Sequence, residues 1–171
     1  MEGYREIPSD ELDGNVIEMI GSQWLLITAG DGGKCNTMTA SWGGIGFVWG
    51  KPAVTLYIRP QRYTREFVDS SDRLTVSFLG GEYRPALAYC GSHSGRDEDK
   101  IANAGLTVGD TDGGVPFIAQ AEIVLQCRKM YRGRMRKEDF LEPELVTQWY
   151  PEEDFHYVYI CEIEKTYVKT R

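Results

Sequence analysis

The sequence predicts a mainly β fold, either an antiparallel barrel or a sandwich, with a few short helices. Five segments of six to fourteen residues are rich in β-branched, aliphatic and aromatic residues, and turn-forming residues separate them. Strands do not alternate with long helices, as they do in parallel doubly wound sheets. The segments predicted to be strands are residues 24–29, 53–59, 74–79, 121–128 and 155–168.

The alternation within these segments predicts which side chains face the core. In the second segment, Val54, Leu56 and Ile58 share one face, and Tyr57 and Arg59 lie on the opposite face. The aliphatic face is expected to be buried, and the other face is free for a different role.

Two short helices are predicted between the strands. Residues 63–70 have Thr64 as a candidate N-cap. A second helix begins with Ser94 as N-cap, in a capping-box pattern with Asp97, and ends at Gly105.

Both predicted helix starts combine unpaired backbone N–H groups with basic side chains. Arg59 and Arg62 precede the first start, and Arg96 and Lys100 follow the second. Each feature favours a negatively charged ligand. One interpretation is a phosphate site, and the alternative is a pair of ordinary structural caps.

Composition and charge limit the class of protein. The chain has 171 residues and a net charge of −7, so a phosphate backbone of nucleic acid is not an expected partner. We expect one domain over residues 1–171, in which residues 1–14 form a flexible N-terminal segment. No apolar run reaches the roughly 18 residues of a membrane-spanning helix, and the acidic N-terminus does not resemble a secretory signal. A cytoplasmic location without membrane association is therefore expected.

Cysteine and histidine, the residue types that hold zinc in proteins, are few in this sequence. The four cysteines form no CxxC pair, and the two histidines are far apart in sequence, so no metal site is expected. The thiols are predicted to be small buried hydrophobic groups.

One basic stretch, residues 127–137, precedes an acidic stretch, residues 138–154. We interpret them as surface segments that compensate each other's charge. The alternative is a basic surface for a polyanion, centred on residues 128–137.

Residues 35–42, CNTMTASW, form an uncharged stretch of small polar residues that ends in a tryptophan. Small side chains let a ligand approach the backbone, and an aromatic ring offers an apolar surface. The stretch is a candidate wall for a flat heteroaromatic molecule, and the alternative is a strand packed under another element. GxGxxG, phosphate-loop and nucleophile-elbow patterns are absent from the sequence.

Four motifs in series resemble the flavin reductase family, and most closely its flavoredoxin-like branch. They are NTMTASW, KPAVTLYIRPQRYT, CGSHSGRDEDK and EDFHYVYICEI, and the similarity runs from about residue 15 to residue 168. The resemblance implies an FMN-binding split β-barrel, a Greek-key antiparallel barrel with a few short helices. It also implies non-covalent FMN and a homodimer with the flavin near the subunit interface.

The same resemblance implies which residues bind the cofactor. The end of the first motif lies beside the isoalloxazine ring, and the basic residues of the second and third motifs hold the ribityl-phosphate end. The implied cofactor-binding residues are Thr39, Ala40, Ser41, Trp42, Arg59, Arg62, Tyr63, Thr64, Ser94, Gly95 and Lys100.

His156 is the candidate catalytic residue. Family members often carry an Asp-His pair before a strand that leads to a glycine. Here Phe155 separates Asp154 from His156, and Cys161 stands where the glycine is expected. As a functional residue, His156 borders the ring, helps to seat nicotinamide or substrate, and donates a proton near neutral pH. The alternative is a barrel-end histidine bonded to backbone.

We therefore expect an FMN-binding, NAD(P)H-dependent flavin reductase. It passes a hydride from nicotinamide to flavin and electrons on to an acceptor, and the cofactor supplies the chemistry. The first alternative is a flavoredoxin-type electron carrier that is served by a redox protein partner without direct use of NAD(P)H. The second, of another class, is the non-enzymatic polyanion-binding module.

Overall fold

The computed structural model describes residues 1–31 and 33–170, and in these residues it contains ten strands in two antiparallel sheets. The strands are β1 (Tyr4–Ile7), β2 (Leu25–Asp31), β3 (Lys34–Ala40), β4 (Gly43–Val48), β5 (Lys51–Ile58), β6 (Arg73–Phe78), β7 (Val108–Asp110), β8 (Pro116–Ile118), β9 (Ile123–Arg134) and β10 (Tyr157–Lys169). The larger sheet runs in the order β3-β2-β6-β9-β10-β5-β4, with β1 also paired to β10, and β7 pairs with β8. The fold is a split β-barrel, which confirms the predicted class.

The two edge strands of the larger sheet are joined directly along the chain. β3 ends at Ala40 and β4 begins at Gly43, so only Ser41 and Trp42 lie between them. Three Cα–Cα steps span at most about 11 Å. The sheet must therefore curl until its two edges nearly meet here. CNTMTASW is mostly an edge strand, and its last two residues bridge the split of the barrel.

The long strand β10 holds the sheet together. Its first half, Tyr157–Glu162, pairs with β5, and its end pairs with β1, while β9 pairs along its other side. The register with β9 shifts after Ile160 and after Ile163, as at β-bulges. Bulges bend a strand, and a curled sheet requires such bending.

Two apolar clusters pack on opposite faces of the sheet. Leu25 and Leu125 belong to the first, whereas their chain neighbours Leu26 and Val124 belong to the second. The aliphatic face of β5 predicted to be buried has no exposed surface and lies in the first cluster. Because β2 is covered on both faces, it begins with consecutive apolar residues rather than with an alternating pattern.

Five α-helices lie between the strands in the described part of the chain, besides short 3-10 turns at Ser9–Glu11, Gly81–Tyr83 and Lys137–Asp139. The α-helices are α1 (Val16–Glu18, continued by a π-helical turn over Met19–Gln23), α2 (Thr64–Ser70), α3 (Arg84–Ser92), α4 (Lys100–Asn103) and α5 (Pro143–Trp149). Neither α3 nor α5 was predicted, although each has a proline in its first turn, a position that helices favour.

The predicted helix after Ser94 is shorter than expected. Ser94 heads a turn in which its hydroxyl accepts from the Arg96 N–H group. α4 is instead capped by Asp99, whose carboxylate accepts from the Ala102 N–H group at 3.1 Å. Asp competes well for the N-cap position, so the capping-box prediction was wrong. Gly105 does end the segment, with φ +70°.

The first helix also starts differently. Tyr63 is the N-cap of α2, and Thr64 is its first helical residue, with 1% of its surface exposed. The Thr64 hydroxyl accepts from Asn36 Nδ2 at 3.0 Å instead of capping the helix. The prediction of Thr64 as N-cap was therefore wrong, because a tertiary partner competes for its hydroxyl.

The N-terminal segment 1–14 contains the strand β1, which the prediction of a flexible segment did not foresee. Tyr4 donates its hydroxyl to the Ala121 carbonyl at 2.6 Å, which ties the strand to the second cluster. None of the helices in the residues described has the length and apolar character needed to cross a membrane.

The basic stretch 127–137 makes ion pairs within the protein. Arg128 contacts Glu162 on the neighbouring strand, and Lys137 contacts Glu153 of the acidic stretch at 2.8 Å. These pairs support the interpretation of mutual compensation, and they leave less positive charge for a polyanion than the alternative requires.

Candidate functional site

A cleft opens beside the Ser41–Trp42 link, at the split of the barrel. It has a polar lobe of about 290 Å³ and an apolar lobe of about 710 Å³, which share Ser41, Trp42, Tyr57 and Trp149. Cavities of this size are typical of small-molecule sites. The polar lobe is lined by Met38, Thr39, Ala40, Ser41, Trp42, Tyr57, Arg59, Arg62, Trp149 and His156.

Seven of the twelve predicted site residues line this polar lobe. They come from three separate segments of the chain: Thr39, Ala40, Ser41, Trp42, Arg59, Arg62 and His156. The other five, Tyr63, Thr64, Ser94, Gly95 and Lys100, are outside the lobe lining.

The wall formed by Thr39–Trp42 offers backbone and one large ring. The Thr39 hydroxyl donates to the Leu87 carbonyl of α3, so it is already engaged. Ala40 is buried in the core, whereas Ser41 is half-buried and lines both lobes. Trp42 is the aromatic part of the wall.

Trp42 packs between two rings from the other side of the cleft. Its ring centroid lies 5.0 Å from that of Trp149, edge to face, and 5.1 Å from that of His156. Three rings at this separation make mutually favourable contacts and hold one another in place. They form an aromatic rim where the two lobes meet.

The two arginines in the polar lobe differ in their partners. Arg59 forms an ion pair with Asp154 and donates to the Trp149 carbonyl at 2.8 Å. Arg62 donates instead to the Gly91 carbonyl at 2.6 Å, and no described carboxylate lies within ion-pair distance of it. Arg59 is therefore largely neutralised, and Arg62 carries the less compensated charge.

A second cation lies beside Arg62 at the C-terminal end of α3. Lys100 is almost fully buried and donates to the carbonyls of Cys90 and His93 at 3.0 and 3.1 Å. Burial, and then the charge of Arg62, lower the pKa of Lys100 to about 8. Burial likewise lowers the pKa of Arg62. Lys100 does not line the polar lobe, so Arg62 is the cation that this end of the lobe offers to an anion.

Two of the remaining predicted residues, Thr64 and Gly95, lie against Asn36 of β3 and outside the cleft. Thr64 accepts a hydrogen bond from Asn36, and a Cβ at Gly95 would lie 2.3 Å from the Asn36 side-chain oxygen. Ser94 opens the adjoining turn, and Tyr63 packs beneath the Arg96 guanidinium at 4.5 Å. The turn at Gly95 thus packs against β3, and a larger residue there would have to displace the Asn36 side chain.

His156 is held by Tyr150. The Tyr150 hydroxyl and His156 Nδ1 are 2.7 Å apart, and both residues are buried. Burial, and then the positive charge of Arg59, lower the pKa of His156 to about 4. The imidazole is therefore neutral near pH 7. A neutral ring still offers one N–H group, and the role of His156 as a catalytic residue stays a prediction.

We predict that His156 weakens the folded state in acid. Its pKa is about 4 when folded and about 6.5 when unfolded, so the unfolded chain binds more protons between these values. Stability present above about pH 6.5 is lost as the pH falls towards 4. In urea unfolding, His156→Gln should lose less free energy of unfolding than the wild type between pH 7 and 4.5.

The exposed His93 provides the control, because the chain has only these two histidines. His93→Gln is expected to follow the wild-type acid dependence. An equal acid dependence of wild type and His156→Gln would contradict the buried, neutral state of His156.

Cys35, which precedes the first motif, and Cys161, which lies in the fourth, line neither lobe of the cleft. Cys161, which replaces the expected glycine, is buried in the first cluster, and burial raises its pKa to about 12. Cys35 is half-buried, and burial, followed by the charge of Asp110, raises its pKa. Both are protonated thiols at neutral pH. The described residues contain no cluster of potential metal ligands.

The sequence did not lead us to predict that the end of α5, with Trp149 and the following Tyr150, contributes to the cleft. Trp149 lines both lobes, and Tyr150 positions His156. Both occur in the acidic stretch that was interpreted as solvated surface. The signal was present, because two adjacent large aromatic residues are unusual in an otherwise charged segment. Tyr57 also lines the cleft, on the face of β5 that the alternation left free.

The protein is of the split-barrel class, and its cleft is lined by aromatic rings and arginine. The chain belongs to the flavin reductase-like family, whose domain model, described as "Flavin reductase like domain", matches residues 18–171. A comparison with curated proteins gave no match.

Several solved structures share this fold. An FMN-binding domain of a flavin reductase-like enzyme from Shewanella baltica OS155 aligns with a TM-score of 0.71 at 20% identity, over 97% of this chain and 77% of that one. Flavoredoxin of Desulfovibrio vulgaris (Miyazaki F) aligns with 0.66 at 22%, over 85% and 69%. An FMN-binding protein from Thermus thermophilus aligns with 0.68 at 17%, over 96% and 82%. At these sequence identities the similarity shows the fold. Any inference about ligand and reaction has to come from the residues of the cleft.

Proposed function

We propose that the cleft binds FMN and that the protein is an FMN-dependent oxidoreductase. The observation that carries the proposal is the convergence of Thr39–Trp42, Arg62 and His156, which are distant in sequence, on one polar lobe. A flat ring system needs an apolar slot, and its phosphate needs a cation. The lobe offers both, next to each other.

The residues present fit FMN chemically. The rings of Trp42, Trp149 and His156 provide apolar surface for an isoalloxazine ring, and the backbone of the wall offers hydrogen-bonding groups. Arg62 is the better candidate for the phosphate, because Asp154 already pairs with Arg59. When bound, FMN supplies the hydride-accepting chemistry.

The protein's own contribution is binding, orientation and exclusion of water. Tyr150 fixes the orientation of His156, and if its hydroxyl donates to Nδ1, the ring proton lies on Nε2. His156 then offers a neutral N–H donor to a ligand in the lobe, without adding charge. Trp149 covers the cleft from α5, whose end is tied down by its carbonyl bond to Arg59.

We propose NAD(P)H as the hydride donor, following the family resemblance. The candidate alternative is an electron carrier that receives electrons from a redox protein. The small number of cationic side chains in the cleft favours the electron carrier, because only Arg59 and Arg62 line it among the residues described. A dinucleotide pyrophosphate would need more such partners.

The test of the proposed function begins with the absorbance spectrum of purified protein, before and after reconstitution with FMN. We expect flavin bands that stay with the protein through gel filtration. Stopped-flow mixing of the reconstituted protein with NADH or NADPH should then bleach these bands. Retained flavin that neither nucleotide reduces would favour the carrier, and a protein that never retains flavin would contradict FMN binding altogether.

We also propose a homodimer. Three large aromatic residues near the β4–β5 hairpin are exposed, namely Phe47, Trp49 and Tyr131, and Trp49 and Tyr131 lie close together with ring centroids 6.4 Å apart. Exposed aromatic groups of this kind mark surfaces that associate with another protein surface.

We also propose that the protein is located in the cytoplasm.

A further inference from the structure

The apolar lobe of the cleft is lined by the turn after α1, by β4 and by α5, and of these only α5 also contributes to the polar lobe. Ile20 from the turn after α1, Ile45 from β4 and Leu145 from α5 line it, and it joins the polar lobe along Trp42 and Trp149. It is also the larger of the two lobes. A molecule bound there would therefore adjoin whatever occupies the polar lobe.

The lining of the apolar lobe carries no charged side chain among the residues described. Its polar contributions come from Ser41 and from the hydroxyls of Tyr57 and Tyr150, of which the last is bonded to His156. A phosphate or carboxylate placed here would be desolvated without a cationic partner, which is costly. A neutral, largely apolar molecule has no charge to desolvate and gains from the burial of its apolar surface.

Glycines in β4 leave space for such a molecule. Gly44 lines the lobe, and a Cβ built on it meets no atom within 4 Å. Gly43 beside it is different, because a Cβ there would lie 2.8 Å from the Thr55 carbonyl oxygen. Packing between strands therefore explains Gly43, whereas Gly44 leaves open volume on the lobe side.

We propose that the apolar lobe binds a neutral, planar, apolar organic substrate, of the quinone or aromatic carbonyl class, next to the flavin. This inference rests on the proposed function, because it names the substrate class of the same site. Uncharged lining, the aromatic rim and continuity with the polar lobe all select a flat, neutral ring over a dinucleotide. The substrate ring lies against Trp42 and Trp149, where the two lobes meet.

The test uses the FMN-reconstituted protein and 2-methyl-1,4-naphthoquinone as probe, with binding measured by isothermal titration calorimetry. Gly44→Val puts a branched side chain into the lobe and should weaken probe binding by about tenfold or more, as steric changes in apolar pockets do. Gly46→Val is the matched control. Gly46 lies in the same strand with equally open surroundings, but it does not line the lobe. It should change the affinity by less than about twofold.

The outcomes separate this inference from the proposed function. Retained FMN without measurable quinone binding overturns the inference and leaves FMN binding intact. Equal effects of Gly44→Val and Gly46→Val also overturn it. Quinone binding that is weakened by Gly44→Val alone, in a protein that retains no FMN, supports the lobe assignment and contradicts the flavin proposal.

Discussion

Replacing Ser41 by phenylalanine is expected to abolish FMN binding while the barrel stays folded. Ser41 is half-buried in the two-residue link between β3 and β4, and it lines both lobes. A phenylalanine ring there would occupy the shared part of the cleft that the flavin needs. The measurement is a titration of FMN fluorescence, with circular dichroism as the check on folding.

Two variants make the result specific. Ser41→Ala should retain FMN, because the proposed contacts of the wall use backbone atoms and space rather than the hydroxyl. Ser70→Phe makes the same change at the exposed end of α2, outside the cleft, and should bind as the wild type does. Tight FMN binding by a folded Ser41→Phe protein would show that the cofactor lies elsewhere.

The neighbouring Ala40 is the weaker choice for this experiment. It is only 8% exposed and packs in the first apolar cluster, although it also lines the polar lobe. A larger residue there would overpack the core and cost about 1–3 kcal/mol. Loss of flavin would then be ambiguous between blocking and unfolding. In the sequence, Ala40 and Ser41 are equivalent members of one motif. The structure distinguishes them, because Ala40 is buried and Ser41 is half-buried.

Replacing Arg62 by methionine is expected to weaken FMN binding by about 10- to 100-fold, since a charge-assisted hydrogen bond contributes about 1.5–3 kcal/mol. Riboflavin, which lacks the phosphate, should lose far less affinity. The comparison of FMN with riboflavin by fluorescence titration therefore isolates the phosphate contact. Because Arg62 also donates to α3 carbonyls, the titrations belong at a temperature where thermal unfolding shows the variant to be folded.

Arg65→Met provides the control three residues further along the chain, in the first turn of α2. Arg65 is paired with Asp69 at 2.7 Å and does not line the cleft, so its loss should leave both flavin affinities unchanged. If Arg62→Met lowers the affinities for FMN and riboflavin equally, Arg62 supports the shape of the site and does not contact phosphate.

The predictable part of the fold is the part that local pattern determines. The alternation in β5 predicted its buried face, because each strand side chain points to one face or the other. The β-branched and aromatic run of β10 likewise excluded a helix. The short strand β1 lacks such a pattern. It is a strand because β10 offers it a partner, which only the assembled sheet reveals.

The candidate site shows the same division. The motifs around Ser41, Arg62 and His156 carry their own sequence signal, and the structure brings them to one cleft. What the sequence could not give is the choice of partner for each polar group. Arg59 pairs with Asp154, almost a hundred positions away, and the Thr64 hydroxyl accepts a hydrogen bond from Asn36. Such choices depend on distances between segments that no local pattern encodes.

The central position of β10 has a consequence for the order of folding. β10 follows every other element along the chain, yet it pairs with β1, β5 and β9. The hairpins β2–β3 and β4–β5 can form early from local contacts, but the larger sheet cannot be completed before β10 arrives. Contacts of such long sequence separation make folding slow. Because Trp149 and His156 immediately precede β10, the two walls of the cleft meet only in this final step. On the ribosome, the nascent chain would thus assemble the candidate site only after β10 had been synthesised.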